Sequence, residues 1–211
     1  MSQEQITAFG SITRALQHRN FRLFFAGQSI SLIGTWMQRV AVAWLVYRLT
    51  RSAFILGLVG FAGQIPLFIL APFAGVLADR WNRHHMLLFT QILAMVQAFG
   101  FSLLVMLHLI RIWHVVVLSL VLGIINAFDV PTRQAFVIEM IEDKQDLGNA
   151  IALNSSMFNF ARLLGPTLAG MLIAILGEGT CFLINGVSFM AVVGSLRMMR
   201  ITTKETPRRK S

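Results

Sequence analysis

The stretch AFILGLVGFAGQIPLFILAPFAGVLA, residues 53–78, contains no charged side chain. An α-helix rises 1.5 Å per residue, so about 20 apolar residues cross the roughly 30 Å hydrocarbon core of a bilayer, and this run is long enough to do so. A helix on the surface of a soluble domain would show one polar face to water, and this one has none to show. Residues 86–110 repeat the pattern, and residues 179–196 do so near the lower limit of length.

Outward from these runs, apolar stretches recur at 21–47, 112–138 and 147–176, joined by short polar connections. The reading is an all-α membrane protein with six transmembrane helices forming one bundle. Residues 1–20 are expected to form an amino-terminal arm, 21–196 the bundle and 197–211 a basic tail. Of 211 residues, 56% are hydrophobic and only 13% charged, against about 25% charged in a soluble domain. Although Arg14, Arg19 and Arg22 precede the first run, it is too long for a signal-peptide core and is expected to stay as a span.

The formal charge is +9 and the pI about 11.4. Its placement matters more than its size. Arg14, Arg19, Arg22, Arg80, Arg83, Lys144 and the tail residues Arg197, Arg200, Lys204, Arg208, Arg209 and Lys210 fall on one side of a six-span chain, with Arg48, Arg51 and Arg111 on the other. The basic side is expected to be cytoplasmic, with both termini there. Such charge suits anionic headgroups of the lipid bilayer and argues against nucleic acid as a partner. The single cysteine, Cys181, cannot form an internal disulfide.

Polar residues inside the spans are the candidates for function, because lipid rejects them. The first span holds Gln28, Gln38 and Arg39, which are expected against other helices or a water-filled path; Arg39 can instead snorkel toward the far interface. The fourth holds Asp129 and Arg133, four apart on one helical face, so an ion pair is available. That pair reads either as structural or as a proton-coupling carboxylate beside a gating partner, with Asp79 a further candidate partner for Arg133. In the fifth span Asn159 and Arg162 stand three apart, followed by Gly165, Pro166 and Gly170, which suggests helix packing or a gate. The five histidines show no HExxH or other metal spacing, and no serine has an evident base, so no enzyme activity and no cofactor are expected.

Between the second and third spans lies GVLADRWNRH, residues 75–84. Gly75 permits close helix contact, Asp79 is placed to accept hydrogen bonds at a helix amino terminus, and Arg80 and Arg83 reach headgroup level. With Gly75, Asp79, Arg80 and Arg83 in this register, the chain resembles the major facilitator superfamily, with Asn82 where that pattern has a second glycine and His84 where a cation is common. Gly165, Pro166 and Gly170 resemble the Gly-Pro motif of its exporters. The segments GTWMQ at 34–38, AWLVY at 43–47 and PTRQ at 131–134 are similar to a bacterial drug and siderophore exporter branch. A faint echo between APFAGVL at 71–77 and GPTLAGML at 165–172 suggests a three-plus-three repeat.

The resemblance covers nearly the whole chain but only half of the superfamily's fold, which has two six-helix bundles. It implies a second six-helix half as partner, with helices 1 and 4 lining the path, helices 2 and 5 facing the other bundle, and the 75–83 motif latching a cytoplasmic gate. It also implies a bacterial cytoplasmic (inner) membrane. The functional expectation is half of a secondary transporter exporting a small amphipathic substrate in exchange for protons. The other reading is a truncated product or a non-transporting assembly partner.

Overall fold

The computed structural model describes residues 14–141 and 144–199; within its helices the side chains of Val76, Ala78, Asp79, Arg80, Lys144 and Gln145 lie outside the description. After a short 3-10 turn at Arg14–Gln17 come six helices: α1 Arg19–Thr50, α2 Ala53–Arg80, α3 Arg83–Met106, α4 Ile112–Glu139, α5 Lys144–Leu176 and α6 Glu178–Met198. All six are long and apolar enough to cross a membrane. Their outer surfaces carry Phe54, Phe68 and Ile175, each about four-fifths exposed, which suits lipid or another apolar surface and not water.

The connections are tighter than expected. Residues 79–85 read as a loop, yet only Trp81 and Asn82 lie between α2 and α3. Asn82 is the reason: its Oδ1 accepts the backbone N–H groups of His84 at 3.0 Å and His85 at 3.2 Å, capping α3. Asp79 was expected at a helix amino terminus, but its backbone belongs to the last turn of α2. The expected arm at 1–20 and tail from 197 overlap helix as well, since α1 starts at Arg19 and α6 runs to Met198. The Arg19 guanidinium donates to the Met198 carbonyl at 3.1 Å, tying those two ends together.

α1 packs along α6, α6 along α3, α3 along α4, α4 along α2 and α1 along α5, whereas α1 and α4 meet only slightly. Exchanging the first three helices for the last three leaves this pattern unchanged, so the faint echo in the sequence corresponds to a real symmetry of packing. Close approach is set by glycine at particular crossings. A β-carbon on Gly34 would meet Asn185 Oδ1 and Ser188 Oγ at 2.6 Å, and one on Gly123 would meet the Gly63 carbonyl at 2.5 Å.

Two apolar cores hold the ends of the bundle. One gathers Phe21, Phe24, Leu87, Phe136 and Leu196. The other gathers Leu45, Val115 and the stacked pair Phe101 and Phe182, whose ring centres are 4.8 Å apart. Burial is uneven: 61% of the most apolar stretch of α6 is buried, but only 17% of that in α5 and 11% of that in α2. α2 packs along α4, where Gly63 meets Gly123, while Gly57, Gly60 and Gly75 face open space.

Candidate functional site

Because α1 and α4 stand apart between the two cores, they enclose a cavity of about 450 Å³. α1 contributes Gln28, Thr35, Trp36, Gln38 and Arg39; α4 contributes Asn126, Asp129, Arg133 and Gln134. α5 closes one flank with Asn154, Ser155, Phe158 and Asn159, and α2 the other with Gln64 and Leu67. A hollow of about 600 Å³ is larger, but Leu77, Trp81, Phe89, Leu93 and Phe128 make it an apolar groove on the bundle's exterior. The polar chemistry lies in the smaller space.

At its α3–α4 wall sits Asp129, only 5% exposed. Its Oδ1 accepts from Thr90 Oγ1 at 2.8 Å and from Gln91 Nε2 at 2.7 Å, and its Oδ2 faces Arg133 Nε at 3.6 Å. The i,i+4 pair read from the sequence is therefore present, and two donors from α3 complete it. Thr90 also lies 2.9 Å from the Leu87 carbonyl, so its single hydroxyl proton is contested between helix and carboxylate. Gln91 Oε1 is buried with no hydrogen-bond partner.

Gln38 belongs to a second network. Asn185 Nδ2 donates to Gln38 Oε1 at 2.7 Å, Gln38 Nε2 to Gln97 Oε1 at 3.0 Å, and Gln97 Nε2 to the Leu118 carbonyl at 3.1 Å. Four helices are thus stitched by consecutive amides. Gln38 is 2% exposed with both ends of its amide engaged, which makes it a strut in the cavity wall. Gln28 is buried in the same wall.

Arg39 projects from α1 into the cavity and is exposed there. Its guanidinium carbon lies 4.5 Å from the centre of the Trp36 ring, and that of Arg162 lies 5.7 Å from the same ring. Phe158 meets Trp36 edge-on, with ring centres 5.7 Å apart. Gly165 lets α5 approach, because a β-carbon there would run into Trp36 and the Ile33 carbonyl. Pro166 lies within α5. Gly170 meets nothing, and Asn159 turns back to the Ser155 carbonyl at 3.0 Å.

In the 75–83 stretch expected to latch a gate, Gly75 faces open space and Arg83 pairs with Glu139 at 3.5 Å, joining the start of α3 to the end of α4. The side chains of Asp79 and Arg80 lie outside the described residues, as does any contact of Asp79 with Arg133. His84, in the usual place of a cation, bonds the Leu196 carbonyl at 2.8 Å and lies against Phe136. Thr90, Gln91, Gln97, Asn185 and Phe158 were not singled out as site residues from the sequence as Gln28, Gln38 and Asp129 were. The isolated glutamines at 91 and 97 in a charge-free span were the available signal. Among the described residues, no cluster of three or more His, Cys, Asp or Glu forms a metal site.

The sequence is similar to those of several known proteins. The chain is 27% identical over 180 residues to the staphyloferrin A transporter of Staphylococcus aureus, covering 82% of this chain and 43% of that protein. It is 23% identical over 180 residues to the multidrug efflux pump Tap of Mycolicibacterium fortuitum, covering 83% and 44%. With macrolide efflux protein A of Streptococcus pyogenes it shares 22% identity over 163 residues, covering 75% and 40%. The chain therefore spans less than half the length of these relatives. The family described as transmembrane secretion effector matches residues 11–210, and the chain belongs to that family, within the major facilitator superfamily.

Proposed function

We propose that the chain forms one half of a secondary exporter that works by alternating access, with the α1–α4 cavity as its share of the substrate path. The observation that carries this reading is a polar cavity, containing a buried carboxylate, inside a bundle whose flanking helices α2 and α5 have only 11% and 17% of their most apolar stretches buried. Those two faces suit a second six-helix half closing the cavity from the open side. Both termini face the cytoplasm in a bacterial inner membrane, as the basic residues of the connections favour.

Asp129 is the proton-coupling residue in this reading. Protonation removes the charge that faces Arg133 and changes what Thr90 and Gln91 can donate to, so the α3–α4 contact differs between the two states. The relatives named for drug and siderophore transport support a small amphipathic substrate.

The test is uptake into inverted vesicles by the two-bundle protein under an imposed pH gradient, inside acid. Accumulation that collapses with the gradient is expected. Substrate movement indifferent to the gradient excludes proton coupling, and absence of movement for any amphipathic probe excludes transport.

A further inference from the structure

Two arginines meet on one indole, Arg39 from within the cavity lining at 4.5 Å and Arg162 from the exposed face of α5 beside it at 5.7 Å from the Trp36 ring centre. Among the described residues neither has a carboxylate partner. Among the described residues lining the cavity the one carboxylate, Asp129, is occupied by Thr90, Gln91 and Arg133. The space therefore carries a surplus of fixed positive charge, each guanidinium with N–H donors unused. At 1.5 Å per residue, Arg39 stands roughly 16 Å along α1 from its end at Thr50, and Arg162 roughly 21 Å along α5 from Leu176, well inside both helices.

We propose that the cavity selects anionic aromatic molecules, seating a carboxylate or sulfonate between Arg39 and Arg162 and an aromatic ring against Trp36 and Phe158. This rests on the cavity being the substrate path and adds the charge of the substrate. A planar acid accepts paired N–H bonds from a guanidinium, which a neutral ester does weakly and an ammonium cannot do. The edge-on pair Trp36 and Phe158 supplies the apolar surface beside it.

The experiment is equilibrium binding of 2-naphthoate, methyl 2-naphthoate and 2-naphthylmethylammonium to the full chain in lipid nanodiscs. Naphthoate is expected to bind at least about tenfold more tightly than the ester or the ammonium. Arg39→Gln and Arg162→Gln should each weaken naphthoate about tenfold and leave the ester unchanged, while Arg39→Lys, which keeps the charge and loses the fork, falls between. Helical circular dichroism and a single elution peak establish that each variant is folded, and Arg39→Lys serves alone if the glutamine variants are not. Equal or tighter binding of the ammonium, no binding of naphthoate, or unchanged naphthoate binding in the folded variants overturns the proposal. In vesicles of the two-bundle protein, export of the ammonium but not of naphthoate overturns it while leaving the transport reading intact. Arginine-dependent binding with no probe transported supports it and overturns the transport reading.

Discussion

Asn185 Nδ2 donates to Gln38 Oε1 at 2.7 Å, joining α6 to α1 in the interior of the bundle. Gln38 passes the connection to Gln97 through its other amide group, so removing it strands a donor on one neighbour and an acceptor on the other. Gln38→Leu is expected to lower stability by about 1–3 kcal/mol, the cost of buried polar groups left unpaired. Replacing both Gln38 and Asn185 by apolar residues should cost less than the sum of the two single changes. Unfolding midpoints in mixed detergent, compared as a double-mutant cycle, check both statements.

A similar contrast separates two glycines of α5. Gly165 lies against Trp36 and the Ile33 carbonyl, whereas Gly170 has nothing near it. Gly165→Ala should destabilise the chain by about 1–3 kcal/mol through forced separation of α5 from α1. Gly170→Ala should be neutral or stabilising by up to about 1 kcal/mol, because alanine is the better helix former. The same unfolding assay reads both.

Arg48 and Glu178 pair at the end of the bundle opposite the termini, linking α1 to α6. Glu178 is 5% exposed and Arg48 half exposed, so the carboxylate depends on its partner more than the arginine does. Arg48→Ala is expected to cost about 1–3 kcal/mol, below the range for a fully buried pair because Arg48 is partly solvated. Glu178→Gln should cost less, since it leaves no buried charge behind. Unfolding of the two variants side by side gives the order.

Asp129→Asn keeps an oxygen that Thr90 and Gln91 can bond and removes the charge that Arg133 faces. Stability should fall by about 1–3 kcal/mol, because Arg133, 19% exposed, is left without its carboxylate. Transport by the two-bundle protein should lose its response to an imposed pH gradient. Vesicle uptake with and without the gradient measures that response, and an undiminished response in Asp129→Asn would remove Asp129 from the coupling mechanism.

The spans were legible because uninterrupted apolar length has one physical use, as residues 53–78 illustrate. The pair Asp129 and Arg133 was legible because helical geometry alone brings residues four apart together. Trp36 and Arg39, three apart, were open to the same argument but were not paired from the sequence. Contacts between helices were not legible: a lone Gln97 or Asn185 in an apolar span announces a partner without naming it. Gln38 was read as a residue of the path, and only its neighbours reveal that both ends of its amide are engaged. The 79–85 connection was read too long because Asn82 was seen as a missing glycine, whereas it is the cap that starts α3.

Water must reach the space between α1 and α4 if that space is a path across the membrane. The direct measurement is labelling of Ser155→Cys and Asn126→Cys, in a chain with the buried Cys181 replaced by alanine, using a membrane-impermeant maleimide on right-side-out and inverted vesicles. Both cavity positions should react from at least one side, well above cysteines placed at the outward-facing positions of Phe89 and Ile175. Cavity cysteines that react from neither side, no faster than those outward-facing controls, would contradict the existence of the path.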